Sequence, residues 1–337
     1  MGLPRGLDET REVARVGEAA GFEWMGVADS PTVYQDSFLH QLEAARATIE
    51  IKVGPMATHL VARHPVIVGN LLATLNEFTD GRAIGTIATG NSAARGLGMK
   101  PATVEELGQG IAAIRSYWKG EGGPFSSRIY SGSEIPVSGL ERPACPLFVA
   151  ADGPKATALA GEVGDGLLYG GTLEQDVLRR RVEAGRRRDE QRVWIGPSVS
   201  LRESVEEVQE ELGAMIIAMA NRAFRGDLDE RNIPEDVQAD IREMWRRYDY
   251  GFHADSSRPQ NLEIVSERLS AYLIEHFCIW GTEERWRDRL EWLEGEGCDG
   301  VMFILGQAEQ VEVVREIGER LRGLGKLTPR QTAGASS

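Results

Sequence analysis

Seven short apolar runs alternate with helical patterns along almost the whole chain, and this alternation constrains the fold more than any other feature. The runs span residues 22–28 (FEWMGVA), 49–57 (IEIKVGPMA), 82–89 (RAIGTIAT), 146–151 (PLFVAA), 165–170 (DGLLYG), 193–201 (VWIGPSVSL) and 299–305 (DGVMFIL). Each is nearly continuous in hydrophobicity, which suits a strand buried on both faces of a parallel sheet. Amphipathic stretches lie between them. One is DETREVARVGEAAG, with Asp8 as its expected cap and Gly21 at its end; another is EERWRDRLEWLEGEG. Regular alternation of this kind predicts a (β/α)8 TIM barrel, with a doubly wound sheet as the alternative. An eighth strand would have to precede the first helix, where only Gly2-Leu3-Pro4 stands. The expectation is therefore a barrel whose first strand is missing or truncated.

A single domain over residues 1–322 is expected, followed by a flexible tail at 323–337. Two regions break the repeat. Residues 121–145 are rich in Gly, Ser and Pro and read as a loop or hairpin insertion. Residues 224–275 carry extra helical patterns, PEDVQADIREMWRRYDYGF and EIVSERLSAYLIEHF. They read as a helical insertion over the barrel mouth, where loops commonly set substrate choice.

The net charge of −14 argues against nucleic acid as a partner, because phosphate neutralisation needs a basic surface. The one basic cluster, Arg179 to Arg192, is interspersed with acids and reads as a solvated helix face, with an anion patch as the alternative. No apolar run is long enough to span a bilayer, and the first residues lack the apolar core of a signal peptide, so no membrane and a cytoplasmic location are expected. Cys145, Cys278 and Cys298 show neither a paired framework nor metal spacing, and His59 and His64 are not spaced as a helical zinc site. No metal is expected.

Residues just after the strands of such a barrel converge on one mouth. Here they are Asp29-Ser30, Ala57-Thr58-His59, Gly90-Asn91-Ser92, Asp152-Gly153, Gly171-Thr172 and Gly306. Two glycine-bearing turns stand out: Ala150-Ala151-Asp152-Gly153-Pro154-Lys155 and Tyr169-Gly170-Gly171-Thr172. Glycines after a buried strand let backbone N–H groups approach an anion closely, and a helix N-terminus adds a favourable dipole. A phosphate-bearing cofactor is the expectation. No GxGxxG follows a strand, and neither GxxxxGK[ST] nor GxSxG occurs. This argues against ordinary nicotinamide binding, P-loop hydrolysis and serine hydrolase chemistry.

The motif GEAAGFEWMGVADS resembles the helix-to-strand signature of the luciferase-like flavin oxidoreductases. The following ARATIEIKVGPMATHLVARHPVIVGNLLATLNEFTDGRAIGTIATGNSAARGLGMKPA is similar to the next stretch of that family. AADGPKATALAGEVGDGLLYGG and the C-terminal GTEERWRDRLEWLEGEGCDGVMFIL also match in pattern. Within the superfamily, TGNSAARGLGMKPA looks most like the branch of methylene-tetrahydromethanopterin reductases that use the deazaflavin coenzyme F420.

The resemblance implies a ring system lying across the barrel mouth, supported by a non-prolyl cis peptide between Met56 and Ala57. It implies ring contacts from Thr58 and His59, and contacts to the ring edge or side chain from Gly90, Asn91 and Ser92. It places a phosphate cradle at Ala151, Asp152, Gly153, Gly170, Gly171 and Thr172. Asp29 or His59 would supply or remove a proton, whereas His64, which precedes a proline, is expected to be structural. The implied activity is hydride transfer between C5 of F420 and a small organic substrate. An FMN-dependent monooxygenase using reduced flavin and oxygen is the alternative, and a non-catalytic member of the fold is a second one. A homodimer built on the helices DSFLHQLEAARA and HPVIVGNLLATLNEF, and a flavin or F420 reductase supplying reduced cofactor, are the implied partners.

Overall fold

Every one of the seven apolar runs carries a strand. The structure, a computed structural model, describes residues 6–330 apart from 129, 131, 136–137, 226–227, 250–258 and 307–308. The strands, in chain order, begin with β1 (Trp24–Val27), β2 (Lys52–Pro55), β3 (Thr58–His59) and β4 (Gly85–Ala88). Then come β5 (Gly123–Phe125), β6 (Ser133–Ile135), β7 (Leu147–Ala151) and β8 (Gly166–Tyr169). The last are β9 (Arg192–Ile195), β10 (Ser198–Val199), β11 (Cys278–Ile279) and β12 (Gly300–Val301). The helices begin with α1 (Leu7–Ala20), α2 (Ser37–Ala47), α3 (Pro65–Phe78), α4 (Asn91–Gly96), α5 (Val104–Trp118) and α6 (Pro154–Val163). They continue with α7 (Gln175–Gly185), α8 (Val205–Ala223), α9 (Glu235–Arg247), α10 (Glu267–Phe277), α11 (Glu283–Gly295) and α12 (Gln310–Gly323). The backbone falls into two units. The first comprises Met1–Ile87, Gln109–Pro146 and Gln307–Ser337, and the second Ala88–Gly108 and Leu147–Gly306.

In the first unit β1 pairs in parallel with β2, from Trp24 opposite Lys52 to Val27 opposite Pro55. β3 lies beside β4. Helix α1 packs on α2 and α12. It starts two residues earlier than the cap at Asp8 requires, with Gly6 at the N-cap, so Asp8 sits in the first turn. There its carboxylate opposes the helix dipole instead of capping the end. Gly21 ends the helix with φ 101°, a left-handed position, and donates its N–H to Glu18 and Gly17 carbonyls. The buried Glu18 carboxylate then accepts the backbone N–H groups of Ile49, Glu50 and Ile51, anchoring the entry to β2. A Cβ on Gly54 would collide with the Ile84 carbonyl oxygen, so glycine permits the close backbone approach there. Residues 121–145 contain an antiparallel hairpin of β5 and β6.

In the second unit β12, β9, β8 and β7 form a run of parallel strands. Val149, Leu167 and Val193 lie side by side across it and are fully buried, as continuous apolar runs require. The run 193–201 splits at Gly196-Pro197 into β9 and β10. β10 pairs in parallel with β11, a strand absent from the seven expected. The run 299–305 gives only Gly300–Val301 as strand, with a further parallel bridge from Ile304 to Ser198. Between β10 and β11 lie α8, α9 and α10, with α10 packed on α8 and α9. Helix α8 opens with a capping box between Ser204 and Glu207. The motif YDYGFHADSSRP falls largely at 250–258, outside the described residues.

Candidate active site

Chemistry in the first unit gathers after β1 and on β3. Asp29 follows β1 with its side chain only 2% exposed. Its Oδ2 accepts a hydrogen bond from Thr58 Oγ1 at 2.6 Å. Arg63 donates to both carboxylate oxygens at 3.3 Å and to Asp36 at 2.9 Å. Asp36 in turn caps α2, accepting from the Phe38 and Leu39 amides. Burial opposes ionisation of Asp36, but Arg63 and these amides outweigh it and hold its carboxyl below the usual range. Arg63 therefore braces two carboxylates while its guanidinium lies 5.3 Å from the Phe38 ring centroid. The Met56–Ala57 peptide is cis, as expected, and the Met56 N–H is held by the Val27 carbonyl at 2.7 Å.

His59 differs from its neighbours. It is 1% exposed, and neither ring nitrogen has a hydrogen-bond partner among the described residues. Burial lowers its pKa, Asp29 opposes that, and Arg63 adds to it, with a net downward shift. At neutral pH it is thus an uncharged imidazole with one N–H and one lone pair unspent. His64 is structural, as expected. Its Nδ1 accepts the Val66 N–H at the start of α3, so Nε2 carries the proton and donates to Ser133 Oγ at 2.8 Å. Its ring lies edge-on to Phe125 and Tyr130, at 5.3 and 4.8 Å between centroids.

The second unit holds the other expected residues. Gly90 adopts φ 81° and is the N-cap of α4, so Asn91 and Ser92 open the helix without capping it. Asn91 accepts from Arg95 Nε at 2.9 Å, and Ser92 lies in the same first turn. Ala151 ends β7. Asp152 accepts from Arg222 Nε at 2.6 Å, and the same guanidinium donates to the Gly170 carbonyl at 3.0 Å. A Cβ on Gly170 would lie 2.7 Å from Arg222 Nη2, and one on Gly171 would strike the Tyr169 hydroxyl. Gly153 caps α6 and has open space where a Cβ would be. The Thr172 hydroxyl accepts the Glu174 N–H and its carbonyl accepts from the Tyr169 hydroxyl. Asp152, Gly170 and Arg222 are thus brought together, while Thr172 serves its own turn.

Arg63 and Arg222 are the residues that strand-end reasoning did not single out. Arg222 lies on α8, where nothing in the local sequence distinguishes it. The basic cluster is a solvated face, as expected, and its exposed arginines also form ion pairs. Arg179 reaches Glu296 at 3.0 Å, Arg187 reaches Glu162 at 3.2 Å, and Arg186 and Arg192 both hold Asp299. Trp24 and Trp118 are buried packing residues, and Trp118 Nε1 donates to the Gly69 carbonyl.

A family model described as luciferase-like monooxygenase matches residues 2–300. The chain belongs to that family. Among luciferase-like relatives, 5,10-methylenetetrahydromethanopterin reductase of Methanolobus tindarius is 25% identical over 290 residues, covering 82% of this chain and 84% of the relative. The enzyme of the same name from Archaeoglobus fulgidus is 25% identical over 187 residues; that match takes in 52% of this chain and about half, 54%, of the relative. The solved structure of coenzyme F420-dependent tetrahydromethanopterin reductase from Methanopyrus kandleri superposes with a TM-score of 0.71 at 21% identity, covering 95% of this chain and 97% of that one. The fold is therefore the luciferase-like α/β fold of the TIM-barrel type, and the curated relatives of this chain include F420-dependent dehydrogenases. Among the described residues, no helix is long and apolar enough to cross a membrane.

Proposed function

We propose that this protein is a coenzyme F420-dependent oxidoreductase that transfers a hydride between the deazaflavin and a small organic substrate. The observation that carries this reading is the buried His59, whose two ring nitrogens are unspent beside the fully engaged Asp29–Thr58–Arg63 group. A neutral imidazole offers one donor and one acceptor, which suits the polar edge of a heterocycle or a substrate hydroxyl. When bound, the deazaflavin supplies hydride chemistry at C5.

The chain's own residues supply the rest. His59 takes the proton released when the substrate is oxidised and returns it in the reductive direction. Asp29, held by Arg63, fixes the Thr58 hydroxyl and offers a negative charge to the imidazolium formed in that step. We assign the glycine turn at Gly170–Thr172, with Gly153, to the phosphate-bearing tail. A small substrate, a cytoplasmic location, a homodimer and a separate reductase supplying reduced cofactor belong to the same reading. Family membership also supports a second reading, an FMN-dependent monooxygenase fed with reduced flavin and oxygen.

Loading the purified protein with F420 and with FMN separates the two. Absorbance and fluorescence report binding, and an oxygen electrode reports turnover. Saturable F420 binding without oxygen uptake is the expected result. Productive FMN binding with oxygen-dependent turnover sinks the deazaflavin reading.

A further inference from the structure

Helix α10 of the second unit carries a polar pair that the rest of the described chain does not use. Tyr272 and His276 stand one turn apart on it, with ring centroids 4.2 Å apart and planes tilted by 34°. Residues four apart on a helix share a face, so both rings look the same way. Among the described residues, neither the Tyr272 hydroxyl nor either nitrogen of His276 finds a hydrogen-bond partner. Unlike the nitrogens of His59, these atoms are not sealed in the core, and both residues stay partly exposed.

The surroundings hold the pair at one place. The His276 carbonyl accepts the Leu173 N–H at 2.8 Å, which ties this end of α10 to the turn after β8. In a barrel of this type such a turn lies at the ligand-binding edge. Phe224 of α8 backs Tyr272 at 6.5 Å between centroids and meets Phe277 edge-on at 5.2 Å; both phenylalanines are fully buried and form a firm wall behind the pair. Burial above all lowers the His276 pKa, and burial with Glu174 pushes the Tyr272 hydroxyl up to about 12. At neutral pH the face therefore offers a phenol donor, an imidazole donor and an imidazole acceptor, with no charge of its own. Glu174, within electrostatic reach of both rings, opposes an anion there. Its carboxylate is already engaged by the Val177 N–H and Asn232, so it offers little to a cation.

We propose that Tyr272 and His276 are a specificity-determining pair that binds the oxygen of an uncharged alcohol or ketone substrate. The phenol donates a hydrogen bond to that oxygen, and the imidazole accepts one from the hydroxyl of the alcohol form. That the ligand is a substrate rests on the oxidoreductase reading above; that the pair binds it does not.

Titration of the full-length protein, labelled with 13C in its histidine rings, tests this by NMR. Cyclohexanol and cyclohexanone are the probes, and cyclohexanecarboxylate and cyclohexylamine are their charged counterparts. The His276 resonance is the one that His276→Gln removes. The expected result is a saturable shift of that resonance with both uncharged probes and weaker binding of both charged ones. Tyr272→Phe keeps the stacked ring and loses only the hydroxyl. It should weaken the uncharged probes about fivefold, the worth of one hydrogen bond, while its circular dichroism stays native and its F420 affinity is unchanged. The titration is run without cofactor, so failure of the native protein to bind F420 sinks the redox reading and leaves this result standing. No shift of His276 with either uncharged probe, undiminished affinity in Tyr272→Phe, an equal loss of F420 affinity in that variant, or tighter binding of a charged probe overturns the proposal.

Discussion

Asp29 and His59 differ in what their polar atoms are already doing. Asp29 spends both oxygens on Thr58 and Arg63, whereas His59 spends neither nitrogen. His59→Gln is therefore expected to lower kcat by about 10²-fold or more while leaving cofactor affinity within a few-fold, measured by steady-state kinetics and fluorescence titration. Arg63→Met leaves the buried Asp29 without its cation and should cost about 3 kcal/mol in urea unfolding. The strand-end positions made Asp29, Thr58 and His59 legible in the sequence, since a buried strand must deliver its next residues to one edge. Arg63 was not legible, because its partners Asp29 and Asp36 lie 34 and 27 residues away. Nor could sequence say that the Thr172 hydroxyl serves its own turn, since that depends on the path of the chain to Glu174.

At the scale of elements, glycine contacts decide more than glycine flexibility. Gly54→Ala drives a methyl into the Ile84 carbonyl oxygen and should destabilise the protein by about 3 kcal/mol or prevent folding, read by thermal melting. Gly153→Ala, with open space around it, should melt within about 1 kcal/mol of the native protein. Ser204→Ala removes the capping box of α8 and should cost about 1 kcal/mol. Strands of four or more residues announced themselves as apolar runs. β3 and β11 did not, because two residues outside a longer apolar run carry no periodicity, and β10 was hidden behind Gly196-Pro197 inside a longer run. The hairpin at 121–145 was foreseen as a class of structure, although nothing in its composition foretold that His64 would clasp it through Ser133.

For the whole molecule, histidine burial sets the acid limit. His40, His59, His64 and His276 all have pKa values lowered first of all by burial. Below about pH 6.5 the unfolded chain takes up protons that the folded chain refuses, so stability falls as pH drops from 7 toward 5. Each histidine can add at most about 1.4 kcal/mol per pH unit to that slope, and urea midpoints at pH 7, 6 and 5 measure the sum. A flat profile across that range would show that these rings are freely protonated in the native state. One further property follows from the two-residue ladder of β10 and β11. The chain leaves β10 at Val199 and re-enters at Cys278 of its neighbour β11, so the helices α8, α9 and α10 lie between two points that one short ladder fixes. That segment is an exchangeable cassette: a graft from a relative joined at Val199 and Cys278 inherits a fixed frame, and new specificities can be installed there without redesigning the strands.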